Sequence, residues 1–262
     1  MLIRNSIVYG AAPAGPSYDA DAAALFARFT ADPGATRKGH INTVFVDLKA
    51  AGAFPKLDML QVRAMHDIQS SLLDWKNATR TATRSGLADG AFTVDRGWTT
   101  DGATNYLDTG YNPATDGVNY LQNSASFGIR NLVDSSGTSS IAGAYDGSTG
   151  VTFGRNAGSL LWRMNVNSAI TSGISMTTSA GVYQQSRASS NAAEATYNGG
   201  TYQTSGAASV GRPNMTIREG AVNATPSRIA QIAWMYAGSD LSQAEETSIR
   251  NILDAYCTAL GF

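Results

Sequence analysis

Residues suited to acid–base or metal chemistry are few in this chain. Glutamate occurs only at positions 194, 219, 245 and 246, histidine only at 40 and 66, and cysteine only at 257. Glycoside cleavage needs two carboxyl groups roughly 5 to 10 Å apart across the scissile bond. Glu194 falls on a predicted strand, Glu219 in a turn-rich stretch, and Glu245 and Glu246 in the last helix, so no glutamate pair is evident. Most aspartates precede glycine and read as turn formers. His66-Asp67 among many serines suggests two members of a hydrolase triad, but no Gly-x-Ser-x-Gly elbow accompanies them. Neither histidine has a partner at metal-binding spacing, and His66 reads as a hydrogen-bonded structural residue. The lone cysteine excludes a disulfide framework and a thiolate metal site. Loops such as Asp101-Gly-Ala-Thr-Asn105 and Asp146-Gly-Ser-Thr-Gly150 offer oxygens to Ca²⁺ but lack the carboxylate density of a dedicated calcium loop. The glycine-rich stretch 143–158 lacks the Gly-Lys-Ser/Thr of a phosphate loop. No catalytic residue and no cofactor is expected.

The aromatic residues offer binding chemistry instead. Trp98, Tyr106 and Tyr111 are candidate ligand-binding positions, with Tyr120, Trp162 and Tyr202 of the same type. Exposed aromatic faces beside Asn and Asp side chains stack on sugars. The competing reading, that Trp98 and Trp162 fill the interior, stays open at this level.

The elements that must position these residues are organised around the carboxyl-terminal end. In Arg228-Ile-Ala-Gln-Ile-Ala-Trp-Met-Tyr-Ala237, alternation places Ala230, Ile232, Trp234 and Tyr236 on one side and Ile229, Ala233 and Met235 on the other. A strand apolar on both faces needs cover above and below. Ser242-Gln-Ala-Glu245 then forms a predicted capping box. Ile249, Ile252, Leu253 and Tyr256 follow at helical spacing, and Gly261 is placed to stop the helix. Upstream, helices are expected from about Asp19 and over 36–51, and a strand at 57–62. From residue 75 onward short extended pieces alternate with Asp-Gly and Asn-Gly, the dipeptides tight hairpins require. That texture predicts a mainly β chain, an antiparallel β-sandwich or jelly roll preceded by two short helices and closed by a carboxyl-terminal helix.

Charged residues make up 15% of the 262 residues, against roughly 25% in an average domain. This suits a turn-rich protein of a large assembly. The net charge of −1 argues against a nucleic-acid partner. No apolar run reaches membrane-spanning length, and the amino terminus lacks a signal peptide's apolar core, so synthesis in a cytoplasm is expected. Residues 1–17 read as an extended arm in which Ile7, Val8 and Tyr9 are candidate attachment residues. Residues 18–56 read as a small helical preface and 57–262 as the sandwich with its closing helix.

The strand, turn and helix of 229–256 resemble the end of concanavalin A-like jelly rolls of the laminin-G and pentraxin type. Tyr18-Asp-Ala-Asp-Ala, Thr36-Arg-Lys-Gly-His-Ile-Asn-Thr43, Lys56-Leu-Asp-Met-Leu60 and Leu73-Asp-Trp-Lys76 resemble a class of phage and prophage virion proteins. So do Phe92-Thr-Val-Asp-Arg-Gly97, Tyr106-Leu-Asp-Thr-Gly-Tyr-Asn-Pro113 and Gln122-Asn-Ser-Ala-Ser126. This resemblance implies a non-enzymatic virion structural protein on a tail tip, fibre or head surface. It would sit in multiple copies among other virion proteins, displaying a lectin-like sandwich toward a host-surface glycan. The glutamate pair of the related glucanases is missing. Two alternatives stand beside it: a glycan-degrading depolymerase on the same sandwich, and a purely architectural cement protein.

Overall fold

The computed structural model describes residues 17–135, 139–223 and 228–262. The proposed attachment residues Ile7, Val8 and Tyr9 lie outside them. The helices are α1 (Ala20–Phe26), α2 (Ala35–Ala50), the single turn α3 (Ile68–Ser71) and α4 (Gln243–Ala259). The first strands are β1 (Leu57–Val62), β2 (Thr83–Ser85), β3 (Phe92–Thr93), β4 (Gly97–Trp98), β5 (Tyr106–Asp108), β6 (Ala125–Asn131) and β7 (Ser139–Tyr145). They are followed by β8 (Gly150–Asn156), β9 (Ser159–Val166), β10 (Ile170–Ser175), β11 (Gly181–Ser189) and β12 (Ala192–Tyr197). The last three are β13 (Gln203–Ser205), β14 (Arg218–Glu219) and β15 (Ile232–Gly238).

These strands build an antiparallel jelly-roll sandwich. One sheet has six strands in the order β1-β15-β6-β11-β12-β13, the other seven in the order β10-β9-β8-β7-β14-β5-β2. Between them lies an apolar core that includes Phe127, Ile129, Val151, Phe153, Trp162 and Met235. A second core lies on the outer side of the six-stranded sheet, where Leu25, Phe45, Leu48, Ile249 and Leu253 of the helices meet Leu60, Trp234 and Tyr236. The two-helix preface is thus one part of a third layer, with α4 as the other. The predicted helix boundaries follow from local signals. Gly52 ends α2 at φ 70° and Gly261 lies beyond α4 at φ 92°. Ser242 and Glu245 make the reciprocal capping box.

β15 is covered on both faces as its composition requires, but its alternation is broken. The register against β6 shifts between Ile232 and Trp234, and the Ala233 carbonyl accepts from both Arg63 N and Ala64 N. After this bulge the phase inverts. Ala230, Ile232, Met235 and Ala237 face the inter-sheet core, while Ala233, Trp234 and Tyr236 face the helices. The sequence grouping of Ile232 with Trp234 is corrected accordingly, because one extra residue in a strand swaps every later side chain to the other face.

Glu219 is also relocated. It lies on strand β14, fully buried, and accepts from Arg63 Nε at 2.6 Å. Among the Asp-Gly and Asn-Gly signals, Asp146-Gly147 joins β7 to β8 and Asn198-Gly199 joins β12 to β13. Asp89-Gly90 instead lies in a short 3₁₀ turn. The β8–β9 hairpin turns on Ala157-Gly158, at φ 46° and 87°, a pair without the usual Asx residue.

Candidate functional site

The helix layer covers the β1, β15 and β6 side of the six-stranded sheet, and α4 reaches over part of β11 and β12, leaving the remaining part of the β11-β12-β13 end open. Strand register there places Ser186 opposite Glu194, and Glu194 opposite Thr204. Directly opposed residues of antiparallel strands share a face with Cβ atoms about 5 Å apart. Ser186, Glu194 and Thr204 therefore form a polar row running across three strands on the outer surface. The turn from β15 into α4 brings Asp240 over this row. The result is a cleft of about 370 Å³ walled by Ser186, Asn191, Glu194, Thr204, Ser205 and Asp240, with Ala188, Ala192 and Ala193 as its apolar part. That volume lies in the range of small-molecule sites.

Both carboxylates in the cleft are held. The Ser186 hydroxyl donates to Asp240 Oδ1 at 2.7 Å and accepts from the Leu241 amide at 3.0 Å. Gln243 Nε2, in the first turn of α4, donates to Glu194 Oε2 at 2.7 Å.

One register step along the strands, α4 roofs the next row. Gln184 Nε2 donates to the Tyr236 hydroxyl at 3.0 Å and to the Glu246 carbonyl at 2.6 Å. The Tyr236 ring reaches Gln184 across Gly128, where a Cβ would stand 2.3 Å from its Cε1. Arg250 likewise presses on Gly199, whose Cβ position its Nη1 approaches to 1.3 Å. The Glu246 carboxyl is completely buried under this roof, and neither of its oxygens makes a well-formed hydrogen bond. Burial pushes its pKa up to about 8; the Tyr202 hydroxyl beside it draws the value down, and the charges of Glu194 and Asp240 raise it further. Ser126 Oγ and Gln184 Oε1 are buried and unpartnered on the same face.

The sequence candidates fall elsewhere. Trp98 is fully buried in a small core with Leu87 and Leu107, and its Nε1 donates to Ser71 Oγ at 2.9 Å. Tyr111 is fully buried, its ring beneath the Arg80 guanidinium at 4.8 Å and its hydroxyl donating to Asp58. Neither presents a face for stacking, which corrects the expectation for both: the apolar area that would stack on a sugar is spent on the interior. Tyr106 is half-buried on the outer face of the seven-stranded sheet, with the Arg218 guanidinium over its ring at 5.0 Å. Tyr120 and Trp162 are core residues. Of the six aromatics only Tyr202 stands near the cleft.

His66 donates from Nε2 to Ala31 O, and its Nδ1 meets the Ser70 hydroxyl at 3.3 Å, a structural setting. The Asp101 carboxylate is spent on the amides of Ala103, Thr104 and Asn105. Asp146 is spent likewise on Ser148, Thr149 and Asn214, which hold its pKa down at about 2 against the effect of burial. Among the described residues no group of three or more His, Cys, Asp or Glu side chains is placed to hold a metal ion. Sequence reasoning placed Glu194 on a strand without giving it a role, and missed Asp240, which reads locally as a turn residue. The usable signal was the polar outer face of β11, where Gln184 and Ser186 alternate with inward Tyr183 and Gln185.

No family model matches the chain, and no curated protein matches it. Solved structures of similar fold exist at low identity. A Trypanosoma rangeli sialidase in complex with 2,3-difluorosialic acid is 12% identical, with a TM-score of 0.54 over 82% of this chain and 38% of that one. The binding domain of botulinum neurotoxin serotype D is 12% identical, with a TM-score of 0.52 over 76% of this chain and 52% of that one. A structure of botulinum neurotoxin type C, whose cell entry depends upon interaction with two ganglioside molecules, is 13% identical, with a TM-score of 0.53 over 79% of this chain and 53% of that one. The chain spans about half the length of these neurotoxin structures. The likeness is one of fold, a jelly roll shared with lectin-like binding domains.

Proposed function

We propose that this chain is a non-catalytic binding module of a phage or prophage particle, and that its outer cleft holds a host-surface glycan. The observation that carries the glycan reading is the uncovered end of the six-stranded sheet. There hydroxyl, amide and carboxylate groups of Ser186, Asn191, Glu194, Thr204, Ser205 and Asp240 converge on one cavity with a small alanine floor. Sugars present alternating hydroxyl and C–H surfaces, and such a mixed wall matches them. The jelly-roll fold is compatible with this use, and the virion setting draws on the resemblance of residues 18–126 and on the low charge.

A non-catalytic role is supported by how the two carboxylates are held. A glycosidase keeps one carboxyl protonated as general acid while the other is charged. Here one oxygen of each carboxylate is already engaged by a neutral donor of the protein, Glu194 by Gln243 and Asp240 by Ser186. Two carboxylates on one cavity nevertheless favour a depolymerase as the second reading. Reducing ends released from host polysaccharide by the purified chain would establish it.

The test of binding is a glycan array read with the wild-type chain and with Ala192→Trp, which fills the cleft from an exposed position. Wild-type signal lost in the variant is the expected result. Binding that survives the filled cleft would refute the site, and ordered density for the chain missing from a particle map would refute the virion setting.

A further inference from the structure

The cleft has a charge bias that narrows its ligand. Among the described residues its only ionisable walls are Glu194 and Asp240, and no lysine, arginine or histidine lines it. The two acids come from separate elements, β12 and the β15–α4 turn, and the strand register brings them to one cavity. Behind them the Glu246 carboxyl is fully buried with both oxygens unpaired, and Gln184 Oε1 and the Ser126 hydroxyl, itself a donor, are unpaired on the same face. The facing unpaired donors are the Tyr202 hydroxyl and Arg250 Nη1.

Resting on the glycan reading, we infer that the ligand carries a free amine. Its ammonium group sits between Glu194 and Asp240, and its hydroxyls meet Ser186, Asn191, Thr204 and Ser205. An ammonium brings three donors and a positive charge to a cavity whose two ionisable walls are both acids. An N-acetylated sugar brings no charge, and a sialylated or uronic sugar brings the repelled sign. A ligand cation also lowers the cost of ionising Glu246, so binding releases a fraction of a proton near pH 8.

The experiment is calorimetric titration of the full chain with three probes: a glucosamine tetramer, its N-acetylated counterpart and a galacturonate tetramer. The expected order is amine first, by about tenfold over the N-acetyl probe at low salt, with the galacturonate weakest. Glu194→Gln and Asp240→Asn should each erode that preference, and Glu194→Lys should turn it toward the galacturonate. Melting curves of the variants check that they fold. Equal affinity for the amine and N-acetyl probes, or a preference unchanged in all three variants, overturns the charge inference while the glycan reading stands. Binding to none of the probes overturns the inference, and silence on the glycan array as well overturns the reading beneath it.

Discussion

Glu246 supplies the sharpest energetic prediction, through the substitution Glu246→Gln. In the folded chain burial holds the carboxyl's pKa at about 8, against 4.5 for an exposed glutamate. The groups facing it are Tyr202, Glu194, Asp240 and Arg250, with Tyr236 sharing the same buried pocket. Below 4.5 both folded and unfolded chains hold the proton, and above about 8 neither does. Between these values the folded chain binds the proton that the unfolded chain releases. The raised pKa therefore gives a contribution that is full below 4.5 and lost as pH rises, at about 1.4 kcal/mol per unit. At pH 7 the loss amounts to about 3 kcal/mol. Glutamine carries no such proton. Relative to its own value at pH 4.5, the variant should thus gain about 3 kcal/mol over wild type by pH 7. Urea unfolding of both chains at half-unit intervals from pH 4.5 to 8.5 measures this. Any fixed penalty from seating the amide shifts the difference equally at every pH, so the slope is the readout. Other buried acids, Asp74 and Glu219 among them, cancel in the difference. Stability curves that run parallel across this range would refute the reasoning, and would mean that the carboxyl is hydrated or hydrogen-bonded inside.

Two further substitutions test the frame. Arg63→Met removes the partner of Glu219 inside the protein, where Arg63 also donates to Ser71 O and the Gln61 side chain. The expected cost is about 3–5 kcal/mol, with much of it recovered in the Arg63→Met/Glu219→Leu double variant by calorimetry. Gly128→Ala drives a methyl group into the Tyr236 ring. It should cost about 1–3 kcal/mol in urea unfolding, and Tyr236→Leu in the same chain should relieve it; an unchanged midpoint would contradict the packing described.

Much of the fold was legible because its signals are local. The predicted strand at 57–62 coincides with β1, since an uninterrupted run of buried side chains after Pro55 marks it. The start of α4 was readable from Ser242 and Glu245, which satisfy each other's backbone within one turn. β2, β4, β7, β10, β13 and β14 were not legible. They are short or rich in serine, threonine and glycine, and Gly143 in β7 is required by the approach of Val151 O to 2.1 Å from its Cβ position. Such a constraint belongs to the neighbouring strand.

The site divides the same way. Alternation in β11 and β12 determines which residues share a side, so the polar set Gln184, Ser186 and Glu194 is implicit in the chain. Tertiary structure alone decided that the row of Ser186 and Glu194 stays open, because α4 covers these strands only at the level of Gln184. It also decided that Asp240, distant in sequence from Glu194, reaches the same cavity, and that Arg63 meets Glu219 across 156 residues. The bulge at Ala233 makes the point most directly. Two-residue periodicity tells which side chains travel together, but one inserted residue, visible only in the pairing with β6, reverses the face they meet. Composition chose a sandwich of small polar and apolar residues; hydrogen-bond register between remote strands chose where it can hold a ligand.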